Sequence, residues 1–285
     1  DVHGAPLGAD EIAAAKTALG FCPDASFAVS DEVRELCRDR MVELVANAVA
    51  WDNKLECYLA ADCAKRVLLD QLLNKPIPAD LAAELLAAIP AKDAATRKSG
   101  GAVLQRAAAL MPSITGGAAD LNPSTNTHLA AEGDFSPRDY AGRNVHFGVR
   151  EFTMGLCANG MALYGTTIPF TATFAVFSDF MKPALRLAAL QNVHAVFIFT
   201  HDSVFVGEDG PTHQPIEQVA MLRSIPGLTV LRPAESHEVA QAWAAALVAN
   251  GPVALFLTRQ TVANFPAELL PNVATAKGGY VLTDD

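Results

Sequence analysis

The fifteen residues HDSVFVGEDGPTHQP (201–215) directly follow the apolar run AVFIFT and combine two histidines with three acidic residues. Histidine changes its charge near neutral pH, so His201 and His213, with Asp209 between them, place titratable chemistry at the end of a predicted core strand. A metal site is the alternative, and its candidate ligands would be His201, Asp202, Glu208, Asp209 and His213. The spacing of these residues fits no familiar pattern of metal ligands.

Further polar and aromatic residues follow the other apolar runs. The run SIT precedes Gly116, Gly117, Asp120 and Ser124, the run NVHF precedes Glu151, TTIPFTAT precedes Phe174, Phe177 and Phe180, and LFLT precedes Arg259. Arg97 precedes the first helix of this region. Parallel sheets bind ligands at the carboxyl ends of their strands, so we expect these residues to gather at one edge of a sheet.

Each of these residues also has a purely structural interpretation. Glu151 could complement a helix dipole, and the three phenylalanines, at i, i+3 and i+6, could form one packed helix face. Gly116-Gly117 is a weak phosphate-loop signal, because no other glycine motif accompanies it. Arg259 could be a solvated charge at a strand end. The residues alone leave these alternatives open.

The elements that would position these residues alternate between apolar runs and helices from about residue 96 onward. The runs are SIT, NVHFG, TTIPFTATF, VHAVFIFT, LTVLRP and VALFLTR. This alternation predicts an α/β fold, a parallel β-sheet with helices on both faces. Residues 9–95 carry only helical signals and predict an all-helical arm, in which one helical spacing continues for about forty positions after Asp31.

The composition is that of a globular protein, with 51% hydrophobic residues and a net charge of −10. The acidic balance argues against nucleic acid or a membrane surface as a partner, because no basic stripe could neutralise phosphates. Five cysteines without a C-x-x-C pair predict free, buried thiols in a reducing compartment. No signal peptide or long apolar run is present in the sequence, so we expect a soluble cytoplasmic protein, with an organelle such as a plastid as the alternative.

Four segments resemble the transketolase family of thiamine-diphosphate enzymes: GGAADLNPS, FGVREFTMG, TFAVFSDFMKPALRLAAL and THDSVFVGEDGPTHQPIEQ. The resemblance runs from His3 to about Gln260 and concerns the pyrimidine-binding domain with its preceding connector. It implies the end of a diphosphate-binding domain at 1–8, a helical linker at 9–95, a pyrimidine-binding α/β domain at 96–265, and a connector with the start of a C-terminal domain at 266–285. The implied reaction, of the pentose phosphate pathway, transfers a two-carbon ketol unit from a ketose phosphate to an aldose phosphate.

The resemblance also implies a cofactor side of the site. Glu151 resembles the glutamate that hydrogen-bonds the aminopyrimidine ring of thiamine diphosphate and so helps the thiazolium carbon to lose its proton. Phe174, Phe177 and Phe180 resemble the aromatic pocket around this ring. Asp120 falls where the family has an aspartate that contacts the cofactor.

The substrate side follows from the same resemblance. Four residues resemble the sugar-phosphate contacts of the family: Arg97, Ser124, His201 and Arg259. Two guanidiniums suit a phosphate dianion, because each can bind it through two hydrogen bonds. Asp209 resembles the residue that accepts a hydrogen bond from a hydroxyl of the donor sugar. His213 and His3 resemble substrate-contacting histidines that move protons near the reacting carbons.

The sequence departs from the family in two ways. The G-D-G…N motif that holds a divalent metal and the cofactor's diphosphate is absent, so we expect the ligands of Mg²⁺ (or Ca²⁺) to lie outside this chain. The chain would then supply half of a site in a homodimer or in an assembly with a diphosphate-binding domain or subunit, as a fragment, a processed chain or a split subunit. The second departure is Phe205, where the family commonly has glycine. This ring could narrow the donor channel or pack under the loop.

Two other functions stay open. One is a sister enzyme on the same scaffold, such as dihydroxyacetone synthase or deoxyxylulose-phosphate synthase. The other is a dimerising module without catalytic activity. The phosphate-binding set Arg97, Ser124 and Arg259, together with the motif EDGPTHQP, favours a transketolase.

Overall fold

The computed structural model describes residues 3–284, and the chain divides into two compact units, residues 1–66 and 67–285. The first unit is helical, as the sequence predicts, with α1 (Ala9–Ala18) and α2 (Asp31–Ala60), and α3 (Cys63–Asn74) begins in this unit and ends in the second. The hydroxyl of Ser30 starts α2 by accepting a hydrogen bond from the backbone nitrogen of Val33 (3.4 Å). The long helical segment predicted from sequence is divided into α2 and α3, because Asp62 starts α3 by accepting a hydrogen bond from the backbone nitrogen of Ala64 (3.0 Å).

The second unit contains the α/β fold. Its helices are α4 (Leu81–Ala87), α5 (Thr96–Leu110), α6 (Asn122–Thr125), α7 (Glu151–Tyr164), α8 (Ser178–Gln191), α9 (Gln218–Arg223) and α10 (Ser236–Leu247). Its strands are β1 (Ala94–Ala95), β2 (Ile114–Ala118), β3 (Ile168–Phe174), β4 (Val196–Thr200), β5 (Thr229–Leu231), β6 (Val253–Leu257) and β7 (Thr261–Val262). Across residues 3–284, no helix is long and apolar enough to cross a membrane.

Strands β2 to β6 form one parallel sheet in the order β2-β3-β4-β6-β5. In the central strand β4, Val196 and Ile198 pack in an apolar cluster with residues of α4, α5 and α10. Phe197 and Phe199 face the opposite side and pack with residues of α7, α8 and α9. This arrangement confirms the predicted fold class, and it brings the carboxyl ends of the five strands to one edge.

The prediction of a strand at NVHFG is wrong. This segment forms only isolated bridges, one of them between Asn144 and Gly116. Asn144 is buried and serves a loop instead, because its Nδ2 donates to the backbone oxygens of Leu129 (3.0 Å) and Glu132 (2.9 Å). Gly148 then turns the chain towards α7 with φ +67°.

Gly116 and Gly117 lie within β2 and do not form a phosphate-binding loop. A Cβ atom at Gly116 would lie 1.9 Å from the backbone oxygen of Phe170, and one at Gly117 would lie 2.0 Å from that of Val145. Both glycines are therefore required by the close approach of neighbouring backbone.

The short antiparallel pair β1–β7 brings the start of α5 next to the end of β6. The backbone nitrogen of Thr96 donates to Thr258 Oγ1 (2.9 Å), and the backbone nitrogen of Thr258 donates to Thr96 Oγ1 (2.6 Å). Both threonines are buried. The residues that follow them, Arg97 and Arg259, are thereby placed at the same edge of the sheet.

The five cysteines are free, but the prediction that they are buried is wrong, because all five are exposed: Cys22, Cys37, Cys57, Cys63 and Cys157. Three of them lie on the exposed helices α2 and α3, and Cys157 lies on the outer side of α7. Helical spacing alone therefore did not identify which helix faces are covered.

Candidate active site

Two arginines from different elements lie at the carboxyl edge of the sheet. Arg97 is in the first turn of α5, and Arg259 follows β6. Burial lowers the pKa of Arg97, and the nearby charge of Arg259 lowers it further. Arg97 Nη1 donates to the backbone oxygen of Ser124, whereas its buried Nε has no hydrogen-bond partner among the described residues. Two close guanidiniums with an unused donor suit an anionic ligand.

One carboxylate approaches this arginine pair. Glu208 Oε1 lies 4.0 Å from Arg259 Nη2, and the side chain of Glu208 is 91% exposed. An ion pair in this setting contributes little, about 0–1 kcal/mol, because water and salt screen it. The guanidinium of Arg259 is therefore available to a ligand that binds it more closely.

His201 directly follows β4 and has a left-handed backbone conformation, with φ +57°. This conformation costs roughly 1–3 kcal/mol in a residue other than glycine, so surrounding contacts must hold it. The ring stacks on Phe174 with 3.7 Å between centroids, and Nδ1 forms a hydrogen bond with Thr200 Oγ1 (2.9 Å). His201 is thus a fixed, buried imidazole at the end of the central strand.

The surroundings of His201 favour its neutral form. Burial is the main cause that lowers the pKa of His201 to about 4, followed by the positive charge of Arg97. Arg259 and His213 act in the same direction, and the carboxylate of Asp209 opposes them. At neutral pH the ring therefore offers one donor and one acceptor nitrogen.

The three phenylalanines form a row of rings rather than one packed helix face. Phe174 ends β3 and is buried, Phe177 ends a 3₁₀ turn (Ala175–Phe177), and Phe180 lies in the first turn of α8 with 63% exposure. The Phe174 and Phe177 rings stack 6.0 Å apart with 8° between their planes. Those of Phe177 and Phe180 lie 6.2 Å apart at 30°. The row presents flat apolar surface beside the imidazole of His201.

A cavity of about 300 Å³ opens beside this row. It is lined by Ala119, Asp120, Leu121, Val149, Glu151, Phe177, Phe180 and His213. Glu151 is the first residue of α7, and its side chain is buried at the wall of this cavity. A buried carboxylate beside flat rings suits a planar ligand that carries a hydrogen-bond donor.

His213 and the phenylalanine row connect the cavity to His201. His213 lines the cavity, and its ring centroid lies 5.3 Å from that of Phe177 and 6.3 Å from that of Phe174, in T-shaped contacts. His201 stacks on the same Phe174 ring. Asp209 lies exposed in the loop after β4. The structure therefore brings most of the predicted site residues to one edge of the sheet.

Three predicted contributions stand apart from this arrangement. Phe174 lies beneath His201 and is not part of the cavity lining. Ser124 meets Arg97 through its backbone oxygen rather than its hydroxyl. His3 is exposed in the first unit, and its role stays a prediction. In the part of the chain that is described, no group of three or more His, Cys, Asp or Glu residues could hold a metal ion.

Sequence reasoning missed one charged contact next to His201. The side chain of Asp202 is 1% exposed and pairs with Arg232 Nε at 2.7 Å. Arg232 directly follows β5, and its place at the end of the LTVL run was the available signal.

The fold and the site define a class of protein: a parallel α/β domain with a buried carboxylate, stacked rings and paired guanidiniums at the carboxyl edge of its sheet. Residues 92–264 match the family model of the transketolase pyrimidine binding domain, and residues 1–78 match that of the transketolase thiamine diphosphate binding domain. The first match covers more than half of the chain, so this chain belongs to the transketolase family. The second match includes residues 9–78 of the proposed linker, and the domain boundaries stay a prediction.

Individual transketolases are also similar to this chain. The transketolase of Mycobacterium leprae is 42% identical over 295 residues, covering 99% of this chain and 42% of that protein. The transketolase of Geobacillus stearothermophilus is 43% identical over 285 residues, covering 99% of this chain and 43% of that protein. A crystal structure of Pichia stipitis transketolase in complex with sedoheptulose 7-phosphate has a TM-score of 0.86 at 36% identity, with 100% of this chain and 43% of that chain covered. This chain thus spans less than half the length of these relatives.

Proposed function

We propose that this chain supplies the pyrimidine-binding half of a thiamine diphosphate site, in an enzyme that transfers a two-carbon ketol unit from a ketose phosphate to an aldose phosphate. The observation that carries this proposal is the buried Glu151 carboxylate in a cavity of about 300 Å³ beside the rings of Phe177 and Phe180. Membership of the transketolase family supports it.

The residues around the cavity fit the pyrimidine end of thiamine diphosphate. When bound, this cofactor supplies a nucleophilic carbon that can attack a ketose carbonyl. Glu151 would hold a proton towards a nitrogen of the pyrimidine ring, while Phe177 and Phe180 would pack against the ring and exclude water. Asp120 also lines the cavity and would contact a polar group of the cofactor. Phe174 supports this pocket from below through its stacking on Phe177.

The diphosphate and its metal belong, in this proposal, to a diphosphate-binding domain outside the described site. Mg²⁺ (or Ca²⁺) prefers oxygen ligands, and in this proposal that domain would supply them. The pyrimidine half and the diphosphate half then come from different domains or subunits, in a homodimer or in a mixed assembly.

Arg97, Arg259 and His201 form the phosphate-binding end of the proposed sugar site. The two guanidiniums supply charge for a dianion, and the neutral imidazole supplies one further hydrogen bond. Ser124 shapes this end through its backbone oxygen, which binds Arg97. The sedoheptulose 7-phosphate complex of the Pichia stipitis relative supports a sugar phosphate as the substrate class.

The remaining site residues act on the sugar chain. His213 lines the cavity and packs against Phe177, so in this proposal it would lie near the reacting carbons and would move a proton there. Asp209 accepts a hydrogen bond from a hydroxyl of the donor, which distinguishes one epimer from the other. We assign His3 a proton-moving role as well, on the resemblance to the family alone.

The test is reconstitution with a diphosphate-binding domain from a family relative, thiamine diphosphate and magnesium. We expect ketol transfer from a ketose phosphate, and we expect Glu151→Gln to lower kcat by about 100-fold or more, because it removes a general acid–base group. Glu268→Gln removes an exposed carboxylate of the same unit and is the matched control. Equal activity of Glu151→Gln and Glu268→Gln would exclude the proposed role of Glu151.

A further inference from the structure

The carboxylate of Asp202 is held in an unusual place. It directly follows His201, its side chain is 1% exposed, and its Oδ1 has no hydrogen-bond partner among the described residues. Its Oδ2 pairs with Arg232 Nε at 2.7 Å, and Arg232 Nη2 also donates to the backbone oxygen of Asp202 (3.5 Å). A buried carboxylate needs such a partner, because burial without one disfavours its charge. Arg232 therefore fixes both the side chain and the backbone of Asp202.

This ion pair connects the residues that follow two strands of the sheet, β4 and β5. Asp202 follows β4 and Arg232 follows β5, and β6 lies between these two strands in the sheet. The pair thus ties together the two neighbours of β6, at the same edge where Arg259 leaves β6. The ion pair therefore lies at the edge of the sheet that carries the candidate site.

His201 has a backbone conformation that needs such a restraint. Its φ of +57° is in the left-handed region, which side chains other than glycine rarely adopt. Thr200, the preceding residue, holds the ring through a hydrogen bond between its Oγ1 and His201 Nδ1, and Phe174 stacks on the face of the ring. On its C-terminal side the contact that holds the chain is the one between Asp202 and Arg232.

We propose that Asp202 and Arg232 form a positioning pair, which holds the left-handed turn at His201 and so directs its ring against Phe174 and towards the arginine pair. Asp202 is then not a ligand of a metal or of the substrate. Its charge serves to bind Arg232, and through that contact it sets where the imidazole lies.

The first test reads out His201 directly and does not depend on catalysis. In the isolated full chain labelled at histidine, NMR gives the pKa of His201 and the upfield ring-current shift caused by Phe174, with His201→Gln used to assign the signal. Asp202→Asn and Arg232→Gln are the test variants. Arg223→Gln, which removes an exposed arginine of the same unit, is the control.

The two test variants separate positioning from simple electrostatics. Removal of the negative charge of Asp202 would by itself lower the pKa of His201, and removal of the positive charge of Arg232 would raise it. If the pair positions the ring, both variants release it towards water, so in both the pKa rises from about 4 towards 6.5 and the upfield shift is lost. Arg223→Gln leaves both quantities unchanged.

Opposite pKa changes in the two variants, or a retained upfield shift, would overturn the proposal. Arg232→Lys keeps a cation for Asp202 and should restore most of the upfield shift, whereas failure of this rescue with a folded chain also counts against the pair. If Arg232→Gln does not fold, the near-isosteric Asp202→Asn decides alone, because electrostatics and positioning predict opposite signs for it.

The second test rests on the proposed function and uses the reconstituted enzyme. There Asp202→Asn should raise KM for a ketose phosphate by about tenfold, the effect of losing a hydrogen bond to a charged group, with a smaller change for the same ketose without its phosphate. Equal effects on both donors would contradict the inference. Failure of the wild-type assembly to transfer ketol units would contradict the proposed function instead, and the NMR result would stand.

Discussion

The neutral imidazole of His201 couples the stability of this chain to pH. Its pKa is about 4 in the folded chain, where burial and Arg97 oppose its charge, and an exposed histidine in the unfolded chain has its ordinary value near 6.5. Between these two values the unfolded chain binds a proton that the folded chain does not bind. Stability is therefore complete above pH 6.5, and it is lost as the pH falls towards 4.

We predict that His201→Gln removes this part of the pH dependence. Urea unfolding at pH 7.5 and at pH 4.5 should show that the wild-type chain loses roughly 2–3 kcal/mol more than the variant over this interval. His128→Gln, which replaces an exposed histidine of the same unit, should keep the wild-type dependence. An identical loss in His201→Gln and wild type would show that the ring does not stay neutral in the folded chain.

The exposed carboxylate of Glu208 lies near Arg259 and would compete there with the phosphate of the proposed substrate. Because the two groups are 4.0 Å apart and exposed to water, their interaction is weak. We predict that Glu208→Gln lowers KM for a ketose phosphate about two- to fivefold in the reconstituted enzyme at low ionic strength, and that added salt removes the difference. Glu217→Gln, at another exposed position of the same unit, is the control. A higher KM in Glu208→Gln would mean that this carboxylate helps to bind the substrate.

At the scale of the elements, the sequence predicted those features that depend on local pattern. Five of the six apolar runs are strands of the parallel sheet, since a strand buried on both faces needs a continuous apolar run. The prediction of a strand at NVHFG was wrong because the side-chain amide of Asn144 fixes a loop there. The spacing of apolar residues carries no information about such a side-chain contact. The contact between Asp202 and Arg232 was missed for a related reason. It depends on the strand order β4-β6-β5, which is a property of the folded sheet and not of a single segment.

The glycines of the unit allow a matched test of backbone packing. Gly116→Ala would place a Cβ 1.9 Å from the backbone oxygen of Phe170, so we predict a loss of more than about 3 kcal/mol in the free energy of unfolding, or no folding at all. Gly160→Ala lies in α7 with no atom within 4 Å of the added Cβ. It should stabilise the chain by about 0.5–1 kcal/mol, as alanine restricts the unfolded chain and favours a helix. Thermal unfolding compares the two, and equal melting temperatures would contradict this account of β2.

At the scale of the whole molecule, the chain corresponds to 42% of the Mycobacterium leprae relative and contains the pyrimidine-binding side of the proposed site. Glu151, Phe177 and Phe180, which we propose face the cofactor, line one cavity. Their convergence depends on the folded sheet, so their separate positions in the sequence could not show it. The proposed reaction would need a diphosphate-binding domain beside this one. This division of the site is the central claim, and it can be tested before any sugar is added.

The most direct measurement is the exchange of the thiazolium proton of thiamine diphosphate for deuterium, followed by NMR in the presence of magnesium and a diphosphate-binding domain from a relative. We predict that addition of this chain accelerates the exchange by about 100-fold or more, and that the chain with Glu151→Gln does not, because the proposed role of this carboxylate is to promote loss of the proton. Glu268→Gln should behave as wild type. The same exchange rate with Glu151→Gln as with the wild-type chain would contradict the claim that this chain supplies the pyrimidine-binding half of the site.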